Sequence, residues 1–288
     1  MSSRFETGLH EQFLQHGLYL RNWSNTTIRT YRQGLACLGI ERPTKADLEA
    51  WVVGMRQRGL TPGGCNMYIR TVNSYLSWLR EEGHVTERLK LRLLRAPLKQ
   101  PVLLSPQDIK TLVLFRPTSA VQFRTWALIQ LLLDTGVRIE EALGIEHQRV
   151  DLDNLTLVVF GKGRKERTVP FSLALRRVLF RSLARPKPCA SPLLFSSRSG
   201  SRLLYRNAYR EIQTLCKRVG IKVHCHPHLL RHQFAANYIR EGGDIYRLSR
   251  LLGHTTVTTT QSYLRALGVE DFRVGHERLT PLATIRTA

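Results

Sequence analysis

The sequence predicts a mainly helical chain built in two parts. Three observations carry this expectation. Apolar residues recur at helical spacing through the first hundred residues. A stretch with proline at both ends, Pro97–Pro101 (PLKQP), then resists helix continuation. Beyond it, helix-like stretches are interrupted by one β-prone hairpin over residues 155–171.

In chain order, Thr26, Tyr31, Leu35 and Leu38 fall near helical spacing, with Asn25 as the expected N-cap. Pro43-Thr44 opens a second helix with Leu48, Trp51, Val52 and Met55 on one face, and Gly59 stops it. Thr61-Pro62 starts a third, whose apolar stripe is Tyr68, Val72, Tyr75, Leu76 and Leu79, and Gly83 ends it. The aromatics in these stripes read as core rather than as platforms for stacked bases. The expected boundaries are a first domain over 1–98, a linker over 99–104 and a second domain over 105–288. Ser105-Pro106-Gln107-Asp108 is a helix start, with a cap, proline at the first position and acid in the first turn.

The second part mixes types. Phe123 to Asp134 reads as a buried helix through Trp126, Leu128, Leu131 and Leu132. Residues 138–143 look helical after the Thr135-Gly136 break. Thr156, Val158 and Val159 mark a strand over 155–160, GKGRKE a basic turn, and 167–171 the returning strand. Helices are expected near 172–183, 206–218, 228–241 and 244–252, the last capped by Asp244.

A chain of 288 residues, 42% hydrophobic, buries a core without disulfide staples. Its five cysteines are scattered, odd in number and lack a CxxC pair, so a disulfide framework is not expected. There are 44 Lys and Arg against 22 Asp and Glu, a net of +22. Residues 1–98 carry +6 and residues 99–288 carry +16, so both parts suit one long polyanion, nucleic acid before an acidic membrane. The longest apolar run, Ala127–Leu133, is interrupted by Gln130 and falls well short of the roughly 18 residues that span a bilayer. The first ten residues lack the apolar core of a signal peptide, so the expected location is cytoplasmic, with no membrane partner.

Several residues of the second part have few bland explanations when taken together. Arg138 and Glu141 are three apart and can pair across a helical turn. His228 and Arg231 have the same spacing, His254 follows a helix-ending glycine, Tyr263 lies nine residues further on, and Lys162 sits in the hairpin turn. Two decoys stand beside them. Cys216, His224, Cys225, His226 and His228 cluster, but at no ordinary zinc spacing, so no metal site is expected. Gly161-Lys162-Gly163 lacks the spacing of a phosphate-binding GxxxxGK[ST] loop.

The stretches TGVRIEEAL, GKGRKERTVP, HPHLLRH and LLGHTTVTTTQSYL resemble, in order, the catalytic boxes of the tyrosine recombinase (phage integrase) family, in its compact two-domain Xer-like form. NTTIRTYRQGL, the 47–83 stretch and PVLLSPQDIKTL resemble its core-binding domain and linker, so the likeness covers almost the whole chain. It implies a mainly α fold, with a helical core-binding domain and a mixed α/β catalytic domain that has a small antiparallel sheet, the two clamping opposite sides of a DNA duplex. Carried over box by box, it implies Arg138, Lys162, His228, Arg231, His254 and Tyr263 as the catalytic set. His254 is the least diagnostic, since some relatives carry Trp there.

The residue types suit that chemistry. Tyr263 supplies a hydroxyl nucleophile whose ordinary pKa of about 10 needs help at neutral pH. Arg138 and Arg231 can hold non-bridging phosphate oxygens with forked donors, and His254 can add a hydrogen bond. His228 either accepts the tyrosine proton or supports a phosphate oxygen. Lys162 protonates the leaving 5′ oxygen, with Lys165 as its rival; Arg164 and Lys165 otherwise contact DNA, and Glu141 orients Arg138. The arginines and His254 take the charge role a metal would play, so no cofactor is expected. The product is a 3′-phosphotyrosyl enzyme and a free 5′ hydroxyl, which needs no ATP. The family implies a homotetramer on a double-stranded recombination site, a Holliday-junction intermediate and accessory DNA-binding proteins. The competing readings are a DNA-binding protein of the same fold without chemistry and a type IB-like topoisomerase.

Overall fold

In a computed structural model of the chain, residues 8–97, 102–161, 165–185 and 191–253, with Thr256 and Thr260, are described. The chain divides into two compact units, Met1–Lys99 and Gln100–Ala288. Among the described residues no helix is long and apolar enough to cross a membrane.

The first unit holds α1 (Leu9–Gln15), α2 (Asn25–Leu38), α3 (Lys45–Gln57) and α4 (Pro62–Glu81). The sequence expectation of Asn25 as the cap of α2 is off by one. Ser24 has the extended backbone a cap needs, and its Oγ accepts the Thr27 N–H at 3.2 Å. The stripe is shifted to match: Thr26 is exposed, and Ile28 joins Leu35 and Leu38 inside. Thr44 and Asp47 cap α3 reciprocally, and Thr61 with Pro62 starts α4 as expected. Along α4, Cys65, Ile69, Val72, Leu76 and Leu79 form a fully inward row at helical spacing. Tyr75 is also core: its hydroxyl donates to the Glu41 carbonyl at 2.7 Å. The segment after α4 folds back along it. Asn66 and Asn73, two helical turns apart, each clamp both main-chain groups of Leu94 and Leu91 at 2.7–2.9 Å.

The second unit is organised around α6 (Ala120–Thr135), with α5 (Pro106–Leu114), α8 (Leu173–Ala184), α9 (Tyr205–Arg218) and α10 (Pro227–Arg240) packed against it. Eight of the ten residues from Phe123 to Leu132 are buried, which explains why this helix shows no polar face. After its Ser119 cap it starts at Ala120, three residues before the expected point, and ends on Gly136 at φ +61°. There only glycine serves, since a Cβ would meet Phe234 at 2.2 Å.

The hairpin forms as β2 (Thr156–Phe160) and β3 (Glu166–Pro170), antiparallel, with Leu157 opposite Val169 and Val159 opposite Arg167. A third strand, β1 (Val150–Asp151), pairs with β2 on the other edge. At two residues it carries no periodic signal, which is why sequence reasoning missed it. The expected helix over 138–143 shrinks to a single turn, α7 (Ile139–Ala142), with Arg138 as its cap rather than its first residue. The last described helix, α11 (Ile245–Leu252), is capped by Asp244 and ends on Gly253 at φ +65°.

Candidate active site

The site is built around the C-terminal end of α11. The last carbonyls of any helix have no partner within it, and they form the negative end of its dipole. Here three arginines from three different elements take them in succession. Arg167 of β3 donates Nε–H to the Leu251 carbonyl at 3.0 Å, Arg231 of α10 donates Nη2–H to Leu252 at 2.8 Å, and Arg138 donates Nη2–H to Gly253 at 3.0 Å. Arg231 also donates Nη1–H to the Gly136 carbonyl at 2.6 Å, so one guanidinium joins the ends of α6 and α11. Arg231 is only 3% exposed, and a buried cation is tolerated only with such acceptors around it.

One anion holds the group together. The Glu141 side chain is 3% exposed, and both of its oxygens are doubly used. Oε1 accepts from Arg138 Nη1 at 3.0 Å and Arg167 Nη1 at 2.8 Å; Oε2 accepts from the Arg138 main-chain N–H and Arg167 Nη2, both at 2.8 Å. Burial by itself would raise the Glu141 pKa. The Arg167 and Arg138 hydrogen bonds and the Arg167 charge outweigh it and hold the carboxyl below its ordinary value, so it is ionised. Among the described residues, three guanidinium groups against this one carboxylate leave the cluster positive. Arg138 keeps 38% of its side chain exposed, so that surplus charge is open to an anionic ligand.

His228 stands in the first turn of α10, one turn before Arg231, with its surface exposed. Its pKa lies below the ordinary imidazole range. The protein packed behind the ring disfavours the cation, and the charges of Arg231 and Arg138 add to that. A neutral imidazole beside two arginines can accept a proton.

The rest of the histidine and cysteine cluster has other duties. His226 is the cap of α10, its Nδ1 accepting the Leu229 N–H at 3.1 Å, and His224 lies 2.9 Å from the Tyr209 hydroxyl. Cys216 and Cys225 are buried in the core. Among the described residues no group of His, Cys, Asp and Glu is arranged to hold a metal ion.

Of the sequence-predicted residues, the structure brings together Arg138, Glu141, His228 and Arg231. Lys165 is exposed at the hairpin turn, its carbonyl accepting the Gly161 N–H at 2.8 Å. Lys162, Arg164, His254 and Tyr263 lie outside the described residues. Sequence reasoning missed Arg167. The signal was present: strand alternation puts residue 167 on the same face as Val169 and Phe171, both buried, and a cation on the inward face of a strand needs a buried partner.

Comparison with known proteins shows what the chain as a whole is similar to. A family model described as the phage integrase family matches residues 103–268. The tyrosine recombinase XerC of Xanthomonas campestris pv. campestris (strain B100) is 30% identical over 265 residues, covering 88% of this chain and 82% of that protein. The crystal structure of XerA recombinase shares 26% identity at a TM-score of 0.55, covering 95% of this chain and 98% of that one. The XerH site-specific recombinase bound to a palindromic difH substrate, in a post-cleavage complex, shares the fold at a TM-score of 0.73 and 20% identity, covering 94% of this chain and 83% of that one.

Proposed function

The chain belongs to the phage integrase family of tyrosine recombinases, enzymes that cleave and rejoin DNA, and from that premise we propose that it exchanges strands at a specific site with Tyr263 as the nucleophile. The observation that carries this reading is the pairing of Arg138 and Arg231. They are far apart in sequence, yet their guanidinium groups bind the adjacent carbonyls of Leu252 and Gly253. Two cations fixed side by side match the non-bridging oxygens of one phosphodiester.

The tyrosine oxygen attacks phosphorus, the bond to the 5′ oxygen breaks, and a 3′-phosphotyrosyl enzyme forms. Arg138 and Arg231 stabilise the charge that grows on the pentacoordinate phosphorus, in positions set before the substrate arrives. Neutral His228 accepts the tyrosine proton or hydrogen-bonds a phosphate oxygen. Lys162, with Lys165 as its rival, protonates the departing 5′ oxygen, and His254 adds a donor to the phosphate. Glu141 orients Arg138. A 5′ hydroxyl from another strand then attacks the phosphotyrosine, conserving bond energy through a Holliday junction. The active assembly is a homotetramer on double-stranded DNA, in the cytoplasm, joined by accessory DNA-binding proteins. Arg164 and Lys165 contact the DNA backbone.

Covalent capture tests this. Wild type and Tyr263→Phe are incubated with fragmented DNA of the source organism, including nicked fragments that lose the 5′-hydroxyl strand. Protein-linked ends are then sequenced. Adducts at a 3′ end in wild type, absent from Tyr263→Phe, are expected, and their sequence identifies the site. Equal adducts in both proteins, or none in either with DNA binding intact, overturn the proposal.

A further inference from the structure

Arg167 is 16% exposed at its side chain, and the three hydrogen bonds it makes among the described residues go to Glu141 and the Leu251 carbonyl. Yet it stands where three parts of the site meet. It belongs to β3, which returns from the turn containing Lys162. It grips both oxygens of Glu141 at 2.8 Å, and Glu141 in turn holds the main chain and side chain of Arg138. It also holds the last turn of α11, the helix that precedes Tyr263 in the sequence. The fit is close: a Cβ on Gly253 would lie 2.8 Å from Arg167 Nη1, so the guanidinium lies against bare backbone.

We propose that Arg167 is a positioning residue, which locks the hairpin, the Glu141–Arg138 pair and the end of α11 into one register, so that acid, phosphate clamp and nucleophile align together. This rests on the assignment of Arg138, Lys162 and Tyr263 above. A planar fork supplies a paired bond to one carboxylate and a further Nε–H bond to a separate carbonyl; a lysine ammonium does not match that bidentate geometry. Stability alone is a poor reason for the group, because an apolar side chain facing inward beside Val169 and Phe171 packs without the cost of desolvating an ion pair.

The test uses the full chain and nicked duplexes carrying the sequence recovered by covalent capture. Arg167→Gln, Arg167→Lys and Arg138→Ala are compared for single-turnover formation of the covalent adduct, for DNA affinity and for the dependence of rate on pH. Arg167→Gln is expected to form adduct about 100-fold more slowly, the scale of a small misplacement of reacting groups, with affinity changed less than about threefold. The acid limb of its rate profile moves to higher pH, since Glu141 loses the partner that keeps it ionised against protonation, with Arg138 left facing it among the described residues. Arg167→Lys recovers less than about tenfold, because charge without the fork does not restore register.

A cleavage rate within about threefold of wild type, a rate loss explained by weaker DNA binding, or an unmoved acid limb overturns the inference. Arg138→Ala separates the two levels. If it cleaves normally, the site assignment falls; if it is dead while Arg167→Gln is normal, only the role of Arg167 falls. Should Arg167→Gln not fold, Gly253→Ala keeps every charge and crowds the guanidinium. The same slow cleavage is expected, and a wild-type rate refutes the proposal.

Discussion

Replacing Glu141 by Gln removes one charge without changing shape, so its effect can be worked out bond by bond. The carboxylate accepts four hydrogen bonds, two on each oxygen, all from Arg138 or Arg167. In Glu141→Gln one oxygen becomes an NH2 group. One acceptor oxygen and its two hydrogen bonds are lost, and two donors face a donor. Each hydrogen bond to a charged group contributes roughly 1.5–3 kcal/mol. Breaking a buried pair from one side costs roughly 3–5 kcal/mol. Arg138 is more than a third exposed, so water recovers part of its share, and about 3 kcal/mol is the expected loss.

Native-state hydrogen exchange on peptides from α6 reads this within the second unit alone. A loss of about 3 kcal/mol lowers protection of the slowest amides roughly 100-fold. The pH dependence checks the cause. Glu141 has a folded-state pKa below its ordinary 4.5, so its stabilisation is complete above that value and is lost as pH falls through the folded pKa. The gap between wild type and Glu141→Gln therefore narrows on acidification below 4.5, after correction for intrinsic exchange rates. A loss under about 1 kcal/mol at neutral pH, or a gap independent of pH, refutes the view that ionised Glu141 organises these arginines.

Two further outcomes follow from local structure. Ser24→Ala should destabilise the first unit by about 1 kcal/mol, while Asn25→Ala costs a few tenths at most, measured by exchange of α2 amides; equal effects contradict the cap assignment. His226, His228 and His232 all have folded-state pKa values below the ordinary 6.5, through burial first and neighbouring histidines or arginines next. Below pH 6.5 the unfolded chain takes up protons before the folded one, so stability of the second unit falls as pH drops through and below that value. Titration of the imidazole resonances by NMR checks the order, and a folded-state value for His228 above 6.5 rejects it.

How much of this was legible depends on how local each cause is. The starts of α3, α4 and α5 are written in Thr44–Asp47, Thr61-Pro62 and Ser105–Asp108, because a cap is a contact within three residues. The hairpin is legible from the β-prone Thr156, Val158 and Val159 ahead of a basic turn. The Arg138–Glu141 pairing was visible from spacing, but its form was not. Arg138 caps α7, so Glu141 takes its main-chain N–H as well as its guanidinium. Ser24 displaced Asn25 because both residue types cap well, and only the turn from an extended backbone into the helix decides between them.

The sequence by itself determined the helical class, the two-part organisation it predicted, the basic charge suited to a polyanion, and which residue types were available for phosphoryl transfer. The tertiary structure alone decided where the cations go. The acceptors that collect Arg138, Arg167 and Arg231 are the carbonyls of Leu251, Leu252, Gly253 and Gly136, main-chain groups that every residue possesses. What makes these few available is that two helices end there, on glycines in the left-handed conformation, and that β3 and α10 bring guanidinium groups to the same place. No side chain announces an unpaired carbonyl. It exists only once the helices have ended and packed.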